Sequence, residues 1–295
     1  MTPRAMRGNL LLILTALIWG SAFVAQSLGL EHLGAFSFNG IRTLIGGVAV
    51  MPVALIVHRR QRGSQGRNLR QSLVGGAVCG CVLFVASNLQ QWGLADTTVG
   101  KAGFITALYI LFVPLIGLVL GKRVTRLFFA AVGVAVIGMF LLTMQGAAQI
   151  SRGDMLVLLS AVSFAVHIIV IDHYSPGANG VMLAMMQFFV CGSLSLAAAL
   201  CIGERIDAES LQGAMGAILY SGLLSCAVAY TLQIIAQRDV DPVVASLLMS
   251  LESVFAALCG WLVMGERLAP KEIAGCVLVF AAVIMAQWPQ RQQNG

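Results

Sequence analysis

Long runs of Leu, Val, Ala, Ile and Gly, interrupted by short polar stretches, organise this chain. Ten apolar segments follow one another at about 8–30, 35–57, 72–93, 99–120, 125–144, 154–173, 179–202, 211–236, 242–264 and 270–288. An α-helix needs roughly 20 apolar residues to cross a hydrocarbon core about 30 Å thick. The pattern therefore predicts an all-α integral membrane protein with ten transmembrane helices. The first segment runs past the length of a signal peptide and lacks a small-x-small cleavage site. The longest connection, His58 to Gln71, is too short to form a domain.

The two halves of the chain read alike. Gly8–Leu17 matches Gly153–Val162 at an offset of 145, which also places Arg42 on Gln187 and Gly47 on Gly192. Gly121-Lys-Arg-Val matches Gly265-Glu-Arg-Leu at an offset of 144. Residues 1–150 and 151–295 thus read as two five-helix repeats. Five crossings are odd in number, so the second repeat enters the membrane upside down. Inverted repeats of this kind suit a transporter with a central cavity near mid-membrane between the halves.

Composition agrees with this reading. The chain is 59% hydrophobic and only 10% charged, against about 25% charged in ordinary soluble domains. The net charge of +6 does not point to nucleic acid, because the basic residues are sorted by side. Arg4, Arg7, Arg59, Arg60, Arg62, Arg67, Arg70, Lys122, Arg123, Arg126, Arg238 and Arg291 fall on one face. Arg152, Arg205, Arg267 and Lys271 fall on the other. The positive-inside rule then places both termini in the cytoplasm. The seven cysteines lie in or beside apolar segments without metal-ligand spacing and read as packing residues. The Gly76-x-x-x-Gly80 and Gly117-x-x-x-Gly121 stretches read as helix-packing motifs.

At this level the chain resembles the ten-helix, EamA-type branch of the drug/metabolite transporter superfamily. Trp19-Gly20, Arg42 and Gly265-Glu266-Arg267-Leu268 carry the resemblance, whereas Lys122 departs from the acidic residue usual at its position. The resemblance implies export of amino acids or similar metabolites across a bacterial inner membrane. The aromatic amino-acid exporters look nearest. A monomer is compatible with the fused repeat, since four-helix relatives in the superfamily must dimerise.

Residues at i, i+3/i+4 and i+7 share a helix face, and the repeat carries such faces across. Thr15, Trp19, Ala22 and Gln26 correspond to Ser160, Phe164, His167 and Ile171. Ala102, Thr106 and Tyr109 correspond to Ser246, Ser250 and Ser253. Leu83, Ser87, Gln90 and Leu94 correspond to Cys226, Tyr230, Gln233 and Gln237. These faces are expected to surround one substrate cavity, with Trp19, Arg42, Ser87, Gln90, Thr106, Tyr109, His167, Tyr230, Gln233, Ser246, Ser250 and Ser253 as candidate contacts. Small hydroxyl residues also line tight helix interfaces, so packing competes with this reading.

Glu252 is the least easily explained residue. A carboxylate at the bilayer centre costs roughly 2.5–3.5 kcal/mol on insertion scales. It sits one position from the serine face, and its repeat mate is Leu108. It is a candidate proton carrier or a structural hydrogen-bond donor. Arg42 suits a carboxylate in fork geometry, outward snorkelling, or a tie between helices. Lys101 reads as a snorkelling lysine paired with Asp96. His167, with its ordinary titration range, suits either a satisfied core position or a titrating one.

No His-Glu-x-x-His, Gly-x-Ser-x-Gly or phosphate-cradling motif occurs, so the chain reads as a non-enzyme without metal or cofactor. The absence of an ATP-binding motif makes it a secondary or facilitative transporter working by alternating access. An exporter of other drug-like or metabolite solutes, or a channel, remains the competing reading.

Overall fold

The computed structural model describes residues 3–61, 68–97, 99–122, 124–143, 151–264 and 270–287. Of the residues named above, Arg62, Arg67, Arg123, Arg291 and the Gly265–Leu268 motif lie outside these segments. The described chain is helical throughout, in the order α1 (Pro3–Leu30), α2 (Ala35–Gln61), α3 (Leu69–Leu94), α4 (Val99–Ala107), α5 (Tyr109–Val119) and α6 (Arg126–Thr143). Then follow α7 (Arg152–Tyr174), α8 (Gly180–Ile202), α9 (Ala208–Leu219), a π-helical stretch (Tyr220–Tyr230), α10 (Thr231–Ala236), α11 (Pro242–Met249), α12 (Glu252–Met264) and α13 (Pro270–Gln287). Among the described residues, eight helical segments are long and apolar enough to cross a membrane. The stretches Arg126–Leu141 and Ile273–Met285 are shorter apolar helices.

Local chemistry sets the helix starts. Asn68, Ser151, Asn179, Asp207 and Asp241 each cap an N-terminus by accepting from the first free backbone N–H groups, the role these short polar side chains perform best. Ser151 and Asp154 form a reciprocal capping box, and Pro242 occupies the first position of α11, where its missing N–H is not needed. At the far end of α8, Gly203 adopts φ 75° and closes the helix in the left-handed conformation.

The packing inverts the soluble pattern. Leu10, Val119, Leu200 and Leu262 are among many large apolar side chains exposed on the outside, while Asn39, Arg42, Gln91, His167, Gln187 and Glu252 are buried. Helix α2 lies against α8, α3 against α7 and α8, α6 against α13, and α1 against α12 and the π-helical stretch. Small residues permit the close crossings. A Cβ on Gly76 or Gly80 would lie 2.7 Å from a carbonyl oxygen of α8, Leu183 O and Gln187 O respectively. The second glycine motif is different. Among the described residues Gly117 has only Lys122 near it, and Gly121 meets nothing within 4 Å but adopts φ 79°. Gly121 therefore terminates α5 instead of packing helices. Lys101 also departs from expectation. Its ammonium lies 3.6 Å from Asp154, because α4 packs on α7 and turns Lys101 toward the capping box instead of back to Asp96.

Candidate substrate site

Two of the membrane-crossing segments are interrupted near their middles. Between α4 and α5, Leu108 N donates to Ile105 O at 3.2 Å. Between α11 and α12, Leu251 N donates to Leu248 O and Ser253 N to Ser250 O. These i→i−3 bonds tighten each helix for a turn. In the second segment Ser246, Ser250 and Ser253 each donate a hydroxyl to the carbonyl three residues back, at 2.7–2.8 Å, an arrangement that bends helices. The interruptions deliver Thr106 and Tyr109 on one side and Glu252 on the other to a common cavity.

From α1 that cavity receives Trp19, Phe23 and Gln26, from α2 Arg42, from α3 Gln90 and from α7 Phe164. Ser225 and Tyr230 come from the π-helical stretch. The free volume is about 30 Å³, room for a water molecule or two and far below the roughly 300 Å³ at which ligand pockets begin. The helices leave little free space at the site.

A buried polar cluster holds Arg42 in place. Its Nε donates to Asn39 Oδ1 at 3.0 Å, and Asn39 Nδ2 donates to Ser87 Oγ and Ser195 Oγ. The guanidinium also lies 5.7 Å from the centre of the Phe38 ring. At 4% exposure Arg42 is enclosed by protein and does not snorkel outward. Gln90 Nε2 donates to Thr106 Oγ1 at 3.0 Å.

The π-helical stretch offers its backbone to α1. Trp19 Nε1 donates to Ser225 O at 3.3 Å and Thr15 Oγ1 to Ala229 O at 3.2 Å. Trp19 and Tyr230 rings meet at 4.7 Å, giving the cavity an aromatic wall.

Several polar atoms facing this region are unsatisfied. Tyr109 stands beside Glu252, yet Tyr109 Oη and Glu252 Oε1 have no hydrogen-bond partner of ordinary geometry, and neither does Gln26 Oε1. Each such buried atom costs about 1–3 kcal/mol. Unsatisfied buried atoms also occur off the cavity wall, among them Asn88 Oδ1, Gln91 Oε1 and Ser221 Oγ.

Of the residues expected from the sequence, the structure brings Trp19, Arg42, Gln90, Thr106, Tyr109, Tyr230 and Glu252 together. The others are buried off the cavity wall. Ser87 belongs to the Asn39 cluster. His167 sits behind Tyr230, with ring centres 5.9 Å apart, and its Nε2 is 3.1 Å from Gln187 Oε1. Gln233 is buried with Oε1 unpartnered. Ser246, Ser250 and Ser253 spend their hydroxyls on their own helix. Phe23, Gln26, Phe164 and Ser225 were not among the expected contacts. Gln26 and Phe164 lie on faces the repeat picks out. Ser225 was invisible to a 3.6-residue period because its stretch winds with i→i+5 bonds. Among the described residues no group of three or more His, Cys, Asp or Glu side chains is placed to hold a metal ion.

A multi-pass helical membrane protein with broken helices around a small, buried polar cavity has the architecture of a solute carrier. Comparison with known proteins makes this specific: the model of the EamA-like transporter family matches residues 6–144 and again residues 151–287. The chain belongs to that family, within the drug/metabolite transporter superfamily, and is a membrane transporter. An uncharacterized transporter of Archaeoglobus fulgidus is 30% identical over 275 residues, covering 93% of this chain and 83% of the relative. The uncharacterized inner membrane transporter YedA of Escherichia coli K12 is 25% identical over 274 residues, covering 91% and 87%. A protein of known crystal structure superposes with a TM-score of 0.76 at 15% identity, covering 95% of this chain and 96% of its own. That likeness concerns the fold alone.

Proposed function

We propose that this transporter is a secondary carrier that exports amino acids across a bacterial inner membrane, with a free zwitterion as its substrate. One observation carries the reading: Arg42 and Glu252 line the same small cavity together with Trp19, Phe23, Phe164 and Tyr230. A guanidinium fork takes the substrate carboxylate, Glu252 takes the ammonium, and the aromatic wall takes an apolar or aromatic side chain. A proton and the substrate ammonium then compete for one carboxylate, which couples export to proton entry.

Alternating access is supported by three observations. The family model matches twice in tandem, the interruptions at Leu108 and at Ser250–Leu251 fall close to the offset between the repeats, and the cavity has little free space. Two inverted five-helix halves rearranging around it would open it to each side in turn. Export, both termini in the cytoplasm and a monomeric state complete the proposal; the first rests on family resemblance and the second on the sorting of basic residues.

Efflux of labelled amino acids from proteoliposomes, with and without a pH gradient, tests it. Gradient-driven uphill movement that disappears in Glu252→Gln supports a proton-coupled carrier. Movement of amino acids that ignores both the gradient and the substitution removes the coupling role of Glu252. No transport of any amino acid, with counter-flow of another solute class intact, redirects the assignment to that class.

A further inference from the structure

Two adjoining pockets lie away from the central cavity, at the end of the bundle where the chain begins. One, of about 260 Å³, has Arg7 and Leu11 of α1, Val57 of α2, Val181 of α8 and Ile235 of α10 in its wall, with Arg238 and Asp239 at its rim. The other, of about 300 Å³, is bordered by Arg4, Arg7, Arg238 and Asp239. Shared side chains make them one site with two compartments.

Their chemistry is that of an amphiphile receptor. Three guanidiniums face one carboxylate, leaving a net positive site, and the last turn of α2 adds His58, Arg59 and Arg60 at the same end. The apolar wall continues onto the outer surface, where Leu10 beside Leu11 is 63% exposed and Ile56 beside Val57 is 53% exposed. A soluble anion would use the guanidiniums and leave the apolar wall idle. A lipid would place its phosphodiester among the guanidiniums and its acyl chains along Leu11, Val57 and the flanking surface. Basic pockets between membrane helices are suited to anionic headgroups, and guanidinium–phosphate hydrogen bonds are charge-assisted.

We propose that this is a binding site for an anionic phospholipid, held through its phosphodiester by Arg4, Arg7 and Arg238. The site spans α1 and α2 on one side and α8 and α10 on the other. Beneath it the chain is tightly closed: a Cβ on Gly8 would lie 2.5 Å from Val240 Cγ2. A lipid seated there bridges both halves of the chain over that contact and favours the closed arrangement.

The test is thermal unfolding of the full chain in neutral detergent with added phosphatidylglycerol, phosphatidylcholine or inorganic phosphate. Phosphatidylglycerol is expected to raise the midpoint by several degrees, and phosphatidylcholine and phosphate to leave it unmoved. Arg7→Gln/Arg238→Gln is expected to lose most of that shift while unfolding near the wild-type midpoint without lipid. An undiminished shift in the double variant overturns the proposal, and so does an equal shift from phosphate alone, which would identify a free-anion pocket. Should the double variant not fold, a photoreactive phosphatidylglycerol on the wild type decides. Adducts within residues 4–11 and 235–239 are expected, and adducts confined elsewhere overturn the site.

Discussion

The two interrupted helices, α4–α5 and α11–α12, use one backbone device for different chemistry. Both tighten into i→i−3 bonds near their middles, and both turn a polar residue into the cavity at the break. The first presents the neutral hydroxyls of Thr106 and Tyr109. The second presents Glu252 at the place that corresponds to Leu108. Supporting chemistry differs too, because three serines bend the second helix through their own hydroxyls. The two breaks therefore present different chemistry to the cavity, neutral hydroxyls from one and a carboxyl from the other.

The sharpest way to break this comparison is Glu252→Gln. It preserves volume and removes the charge, so amino-acid efflux is expected to fall about 10- to 100-fold, as for loss of a charged hydrogen bond worth roughly 1.5–3 kcal/mol. Circular dichroism and unfolding midpoint are expected to stay near wild type. Transport at wild-type rates would make the two interruptions chemically equivalent. Arg42→Lys ranks close behind, because an ammonium cannot replace the fork held by Asn39. Its expected effect is a rise of about tenfold in the substrate concentration for half-maximal transport, one hydrogen bond's worth of roughly 1.4 kcal/mol.

Glycine substitutions sharpen the comparison through packing. A Cβ on Gly20 of α1 would lie 2.6 Å from Glu252 O and 2.8 Å from Ala256 N, both backbone atoms of α12. Gly20→Ala is expected to cost about 1–3 kcal/mol as overpacking, and to displace Glu252. Gly103 of α4 meets nothing closer than 3.8 Å. Gly103→Ala is expected to be neutral, or to stabilise by up to about 1 kcal/mol through helix propensity. Unfolding midpoints of the two variants in detergent, compared with wild type, measure the difference. Equal midpoints would mean that α12 yields to α1 as readily as α4 has room.

Much of this arrangement was legible in the sequence for a physical reason. Hydrophobic length reports a membrane crossing directly, and a near-constant offset between halves reports corresponding faces. That is how Trp19, Gln90, Thr106 and Tyr109 could be singled out together before any contact was known. The same reasoning misplaced Ser246, Ser250 and Ser253 because residue type does not say whether a hydroxyl bonds forward into a cavity or back onto its own helix. It left Ser225 unseen because the π-helical stretch changes the phase of the face. A continuous helix would put Glu252 one position off the cavity face, and the break at Ser250–Leu251 brings it to the cavity wall. Asn39, which orients Arg42, carries no pattern that separates it from an ordinary polar core residue.

The smallest expected effects separate satisfied hydroxyls from unsatisfied ones. Ser253 Oγ is bonded to Ser250 O at 2.8 Å, so Ser253→Ala removes a bond internal to one helix. Its expected cost is about 0.6 kcal/mol or less, the usual worth of such side-chain bonds in membranes, with transport unchanged. Tyr109 Oη makes no hydrogen bond of ordinary geometry although it stands beside Glu252, so Tyr109→Phe removes a poorly satisfied buried polar atom. The unfolding midpoint is expected to hold or rise, while transport falls about fivefold, the worth of one neutral hydrogen bond of roughly 1 kcal/mol to the substrate. A variant that gains stability and loses transport would show that the unsatisfied hydroxyl is kept for function. If Tyr109→Phe transports like wild type, the α4–α5 interruption contributes shape alone, and Glu252 on the opposite break carries the polar recognition by itself.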